Sequence, residues 1–528
     1  MNYLNIIPKG PATGILPVEG LTPVQVIGNE KIRKTLEDEC LQQIINTRRA
    51  PGISAVVLNP DAHIGFGAPI GCVMVSPDHI YPAPVGVDVK CSMSLLQFDL
   101  PTDALAEKPL RRALINAIEA RTATGRQSTK QLKKAPKFSD ADAELAILEG
   151  ASEEVCERLG IPQEWRGRCE DFQHTAQDGT FGEGSALQER LEFLKSEKLF
   201  RSQEAYSTRL RQLGTYGGGN HFGECEDVVL ADETPETRHL ADVFGLKPGC
   251  AAFLSHCGSR GFGNLLATNQ FRLLRDHFER WHIPFPSGER DLVYAPIGTP
   301  EAENYLNDMA LAGNFATVNH LLLNRIVLEA FQEVLPGVEG KLVYYISHNF
   351  VRREPVTENK SENGSGNECE IGSEIGNRGP NGDGNRMVYV HRKGATCAFP
   401  AGHAMLKNTP FYETGHPILL PGNPTSGSSV MVALPDAEKT FYSINHGAGR
   451  ILGRRAAKKA LDQKTVNGEF DSADILTNCR QYPLDEAPAA YKDFNDVLHS
   501  VQDAGLAREV ARLHARFVIK DASSPADD

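Results

Sequence analysis

Apolar positions divide the chain into two kinds of text. Between residues 51 and 100 short apolar runs alternate with Gly/Pro-rich turns, in GISAVVLNPDAHIGFGAPIGCVMV and then YPAPVGVDVKCSMSLLQF. Runs this short, bounded by turn residues, predict strands. Residues 103–213 are charged and rich in Ala, Leu and Glu, with apolar positions at helical spacing around Leu110 to Arg121. They predict helices. Strand-and-turn text returns at 213–226 and 250–263, and a strand over 341–346 leads into His348. A long helix is predicted over 302–334, with Met309, Leu321, Leu322, Ile326 and Ala330 among its apolar positions. The sum is an α/β (α+β) fold.

Residues 354–386 break this pattern, being rich in Gly, Asn, Ser and Glu and nearly free of large apolar side chains. Such text cannot offset the entropy of ordering and predicts a disordered surface insertion. The same expectation holds for the tail 522–528. No internal repeat is visible.

Apolar residues make up 41% of the chain, enough for a substantial core in a protein of 528 residues. No apolar run approaches the ~20 residues that span a bilayer, and the start, MNYLNIIPKG, lacks the pattern of a signal peptide. Eleven scattered cysteines suit a reducing compartment better than a disulfide framework, so the cytoplasm is expected. The net charge of −13 argues against a protein that coats nucleic acid non-specifically. It leaves room for a local basic groove, with His391-Arg392-Lys393 and the Arg450–Lys459 region as candidates.

Five segments place a metal-ligand side chain beside glycine or another small residue. They are GVDVKCS (Asp88, Cys91), GTYGGGNHFGE (Asn220, His221, Glu224), SHCGSRGFG (His256, Arg260), ISHNFV (His348, Asn349) and NHGAGR (His446, Arg450). Glycine lets backbone approach a metal or phosphate closely. One carboxylate, one thiolate and several imidazoles form a mixed O/S/N set able to hold one or two divalent ions. Each residue taken singly is more often structural. Five recurrences outweigh that reading.

His446 differs from the others. It precedes GAGRILGRRAAKKALD, read as a turn opening a basic helix on which Arg450 and Arg454 lie one turn apart. Helix starts attract phosphate, and a neutral imidazole there could attack a phosphoanhydride. It could equally contact a phosphate or cap the helix. There is no G-x-x-x-x-G-K-[ST] loop, no H-E-x-x-H and no lysine in a nucleotidyl-transferase motif. A covalent nucleotide would therefore fall to a histidine.

In order, NPDAHIGFGAPIG, GVDVKCSM, GTYGGGNHFGE, SHCGSRGFG, ISHNFV, HRKGATCAFPAG, LPGNPTSGSS, HGAGR, DEAPAAYKDFNDVL and ARLHARFVIK resemble the RtcB family of RNA-splicing ligases. The resemblance implies one ligase domain over 1–521 with a pocket for two Mn²⁺ ions. By position, Asp88, Cys91, His221, His256 and His348 would be the ligands, with Cys91 bridging. His446 would take GMP from GTP. Asn220 would contact the guanylate phosphate, and Glu224, Ser428, Tyr491 and Lys520 would form the guanine pocket. Gly447, Ala448 and Gly449 would lie along the ribose, and Arg260, Arg450 and Arg454 near RNA or guanylate phosphates. The implied partners are RNA, as tRNA halves or cleaved RNA, and an archease-like activator, with no membrane.

Lys90 and Ser92, Asn423 and Pro424, and Cys397 depart from the family pattern and mark a divergent paralogue. Lys90 could alter the charge balance at the metals or point away, and Cys397 removes a positive charge from the pocket edge. Two other functions keep part of this reading: a metal-dependent end-healing phosphodiesterase, and a non-catalytic RNA-binding paralogue.

Overall fold

The apolar run beginning at Ser92 becomes an inner strand of the largest sheet among the described residues. The computed structural model describes residues 2–125, 132–174, 184–357 and 385–521. Among these, one sheet runs in the order Gly340–Ser347, Ser92–Pro101, Cys250–Cys257, Phe222–Leu230, Ala507–Lys520, Gly427–Ala433, Ile418–Asn423. These neighbours pair antiparallel, and short Leu476–Thr477 joins Ala507–Lys520 in parallel.

One face of this sheet packs on the helix Pro300–Val334, the long helix expected from 302–334. Pro300 opens it at the first turn, and the Thr299 side chain accepts from the Ala302 amide, which satisfies one of the free N–H groups. Phe98 stacks on Phe331 at 4.0 Å between ring centroids, and Phe253 and Phe517 complete the contact. The helix also carries buried polar residues that fix loops leading to the site. Asn319 accepts from the amides of Gly214 and Thr215 and donates to the Gly258 carbonyl.

The second sheet has the order Ile7–Pro8, Thr13–Val18, Leu21–Ile27, Ala55–His63, Ile70–Ser76, Asn385–Lys393, Asn349–Thr357. A small pair, Ala395–Cys397 with Ser443–Asn445, has elements of both sheets beside it.

The helical text at 103–213 resolves into Lys108–Glu119, Asp140–Glu149, Glu153–Leu159, Gly184–Ser196 and Gln203–Leu210 among the described residues. One boundary needs correction. Residues 354–357 and 385–386 are not insertion but strand, and Glu354 is buried with both carboxylate oxygens on Arg392. An ion pair in the core gave no apolar signal. Residues 358–384 and 522–528 lie outside the described residues.

Candidate active site

Where strand ends of the two sheets meet, five side chains from four segments converge. Asp88 and Cys91 lie in the turn before Ser92–Pro101, and His221 immediately precedes Phe222–Leu230. His256 is near the end of Cys250–Cys257, and His348 sits between Gly340–Ser347 and Asn349–Thr357. His221 Nε2 is 2.8 Å from Asp88 Oδ2 and 3.4 Å from Cys91 Sγ. His256 Nε2 is 3.1 Å from the same sulfur and 3.3 Å from His348 Nε2. The donors thus fall into two triads, Asp88/Cys91/His221 and Cys91/His256/His348, whose atoms lie within 4.8 Å of one another. Cys91 belongs to both.

Backbone contacts hold the turn. The Cys91 carbonyl accepts from the His348 amide at 2.9 Å, and the Lys90 amide donates to the Asn349 carbonyl at 2.7 Å. The Asn349 side chain donates to the Asp88 carbonyl and accepts from the Gly394 amide. Glycine is required next to two of the donors. A Cβ on Gly217 would overlap the His221 ring, and one on Gly258 would lie 2.5 Å from Asp88 Oδ1.

Burial pushes His256 and His348 well below the ordinary imidazole range, and neighbouring imidazoles add to the shift, His348 first for His256 and His446 first for His348. Both are therefore neutral, the form that binds a metal. Burial raises Asp88, but His221, Cys91 and Arg260 outweigh it and hold the carboxyl low. Burial and Asp88 push the Cys91 thiol well up, a trend that a bound dication reverses. Each triad offers donors of the kinds that hold a divalent cation.

His446 stands against this cluster, directly after the strand Ser443–Asn445. Its ring centroid is 4.6 Å from that of His348. His446 Nδ1 donates to Asp61 Oδ2 at 2.7 Å and lies 3.0 Å from the Gly394 carbonyl. With the proton held on Nδ1, Nε2 carries the lone pair. Asp61 lies within the strand Ala55–His63, and Lys492 Nζ donates to the carbonyls on either side of it, Pro60 and Ala62. Gly449 has φ 74°, and a Cβ there would overlap the Asp61 backbone.

The basic residues gather around an acid that sequence analysis did not single out. Glu486 accepts from Lys520 Nζ at 3.0 Å, Tyr491 Oη at 2.8 Å, Arg450 Nη1 at 3.2 Å and Arg454 Nη1 at 2.5 Å. These cations hold the Glu486 carboxyl down at about 2 despite its burial. Arg450 is not on the basic helix, which spans only Arg454–Ala460. The two arginines meet through Glu486 instead of sharing a helix face. Gly447, Ala448 and Gly449 lie in the bend between His446 and that helix, with the Ala448 amide on the Pro421 carbonyl.

Glu224 and Ser428 are buried on neighbouring parts of the larger sheet, and Lys520 is the cation that acts on Glu224. Asn220 sits in the turn before His221, partly exposed, next to Gly219, where a Cβ would meet Arg454. Arg260 is held by Thr215 Oγ1 and the Gly125 carbonyl, alongside Gly217 and His221.

Lys90 points away from the metal-ligand cluster: its ammonium donates to the Asp171 carbonyl and Thr317 Oγ1 and lies 2.6 Å from His174 Nε2. Ser92 donates to the Lys90 carbonyl behind the cluster. Cys397 is not at a pocket edge but buried, taking a hydrogen bond from Arg352 Nη1 at 3.0 Å. Asn423 closes a hairpin turn, its Oδ1 accepting from the amides of Thr425 and Ser426, with Pro424 between them.

A model of the family described as tRNA-splicing ligase RtcB matches residues 43–521, a span enclosing every site residue from Asp61 to Lys520. The chain belongs to the RtcB family. A protein named tRNA-splicing ligase RtcB from Archaeoglobus fulgidus is 31% identical over 506 residues, covering 93% of each chain. Namesakes from Pyrobaculum aerophilum and Thermococcus kodakarensis are each 30% identical, covering 96% and 93% of both chains. Within this RtcB-type fold, no helix among the described residues is long and apolar enough to cross a membrane.

Two residues of this RtcB site were missed in the sequence. Asp61 lies in NPDAHIG and Glu486 in DEAP, strings that resemble the family's, yet neither carried a role. The available signal was an acid within a string of turn residues, which also describes ordinary loops.

Proposed function

We propose that this protein is a GTP- and Mn²⁺-dependent RNA ligase that joins a 2′,3′-cyclic phosphate or 3′-phosphate end to a 5′-hydroxyl end. One observation carries the reading. The Nδ1 proton of His446 is fixed by Asp61 Oδ2 at 2.7 Å, which leaves Nε2 as a nucleophile beside the five-ligand cluster.

In this reading Asp88, Cys91, His221, His256 and His348 hold the cations. Divalent cations at such a site offset the negative charge that develops on phosphoryl oxygens. His446 Nε2 attacks the α-phosphorus of GTP, pyrophosphate leaves, and Asp61 stabilises the charge gained by the ring. The RNA 3′-phosphate then displaces His446 to give an activated RNA(3′)pp(5′)G end. Attack by a 5′-hydroxyl expels GMP. Glu224 accepts from the guanine N1–H and amine, Tyr491 stacks on the base, and Arg450, Arg454 and Arg260 balance phosphate charge.

The names of the relatives support tRNA splicing as the setting, and the RNA in this reading is tRNA halves or cleaved RNA. The test is to mix a 3′-phosphate RNA and a 5′-hydroxyl RNA with Mn²⁺, with and without GTP. The expected result is a joined product only when GTP is present. Opening of a cyclic phosphate with no GTP-dependent joining would favour an end-healing phosphodiesterase instead.

A further inference from the structure

Lys90 comes directly before Cys91 and has φ 54°, in the left-handed region that favours glycine. The residue is also fully buried. Both features are costly for a lysine unless its ammonium is held. All three of its N–H donors have a partner. Nζ donates to the Asp171 carbonyl at 3.0 Å and to Thr317 Oγ1 at 2.8 Å, and lies 2.6 Å from His174 Nε2. An ammonium has no lone pair, so His174 Nε2 is the acceptor of that third bond. The Tyr345 and Phe350 rings flank the charge, with centroids 5.4 and 5.6 Å from Nζ.

The partners are fixed in turn. Thr317 and Asn314 belong to the helix Pro300–Val334, and Asn314 Oδ1 accepts from the His174 amide at 2.8 Å. Arg352 pairs with the carboxylates of Glu170 and Asp171. Glu170 Oε2 also accepts from the amide and the hydroxyl of Ser347, at 2.9 and 2.7 Å. Residues 170–174 thus bond to the chain immediately before two metal-donor side chains, at Lys90 before Cys91 and at Ser347 before His348.

We propose that Lys90 is a positioning residue for metal binding, whose ammonium ties the turn of Asp88 and Cys91 to residues 170–174 and to the long helix. The inference rests on the reading of the two triads as metal sites. The backbone contacts of that turn described above reach His348 and Asn349. The Lys90 side chain adds anchorage on two further parts of the chain, so the Cys91 sulfur that both triads share is held before an ion arrives. A donor already in place gives up little freedom on binding, which tightens the site. Glycine at position 90 would relax the backbone but lose the anchor, and the loss is the larger effect.

The test titrates the metal-free full chain with Co²⁺ at a temperature where each variant is folded, and follows the sulfur-to-cobalt absorption in the near ultraviolet. Lys90→Gly and Lys90→Met should each bind Co²⁺ about tenfold more weakly than wild type, the worth of a buried charged hydrogen bond. Thr317→Val removes one partner on the helix and should weaken binding by about threefold alone, yet add nothing to Lys90→Met. Lys90→Gly that binds as tightly as wild type, or Lys90 variants that melt lower with unchanged affinity, would make Lys90 a packing residue and overturn the proposal. If neither Lys90 variant folds, unchanged affinity in Thr317→Val overturns it. A wild-type chain that gives no such absorption, or a band that survives Cys91→Ser, overturns the metal reading itself.

Discussion

Oδ2 of Asp61 accepts two hydrogen bonds from His446, one from ring Nδ1 at 2.7 Å and one from the backbone amide at 3.2 Å. The carboxylate therefore fixes both the ring and the stretch of chain that carries it. Asp61→Asn should keep the shape while offering an N–H towards Nδ1, which drives the ring proton to Nε2. Guanylylation should then slow by roughly a thousandfold or more, on the scale seen when a triad acid becomes an amide. The check is the initial rate of label transfer from GTP. A rate close to wild type would show that Asp61 is only a structural partner.

The two metal-ligand triads overlap at one atom, the Cys91 sulfur. Cys91→Ser should therefore lose metal from both positions, whereas Asp88→Asn should weaken mainly the triad it shares with His221. Metal analysis of the purified variants distinguishes them. Equal retention in the two would argue that Cys91 is a packing residue.

Burial lifts the Glu224 carboxyl from an ordinary 4.5 to about 8, and Lys520 recovers only part of the cost of ionising it. The folded state keeps a proton that the unfolded chain gives up above 4.5. The associated stability is complete below 4.5 and is lost as pH rises towards about 8. Metal-free wild type should consequently melt at a lower temperature at pH 8 than at pH 6, and Glu224→Gln should show a smaller difference between the two pH values. An identical difference in both proteins would place the titration elsewhere.

Much of the site could be read from the sequence because its ligands sit beside glycines that the geometry demands. Gly217 and Gly258 leave space for His221 and Asp88, and the strings GGGNH and SHCGS show it. The long helix was equally visible, since a face packed on Phe98, Phe253 and Phe517 needs a sustained apolar pattern. What the sequence hid were partners joined across long separations. Asp61 reaches His446 from 385 residues away, and Glu486 collects Lys520, Arg450 and Arg454 from two other segments. The N-terminal strands and the hairpin ending at Lys393 also escaped notice. Glu354 and Arg392 fill core positions there with charge, so the expected insertion began too early.

Arg392 and Glu354 form a two-pronged pair at 2.5 and 2.8 Å with both side chains buried. Glu354→Ala strands a guanidinium in the core and should destabilise by about 3 kcal/mol. Deleting 358–384 should not, because Thr357 and Asn385 are already partners across the hairpin and a short Asn-Gly turn can close it. Denaturant melts of the two variants provide the check. A deletion as damaging as Glu354→Ala would show that the excised residues pack on the enzyme.

The claim on which the rest depends is that His446 Nε2 becomes covalently guanylylated. The direct measurement is incubation of the purified chain with α-labelled GTP and Mn²⁺, followed by denaturation and exposure to acid and to base. A phosphorus–nitrogen bond gives label that acid removes and base leaves, and His446→Ala should carry none while keeping near-normal metal content. Label that persists on His446→Ala, or wild-type protein that stays unlabelled with its metals bound, would contradict the account.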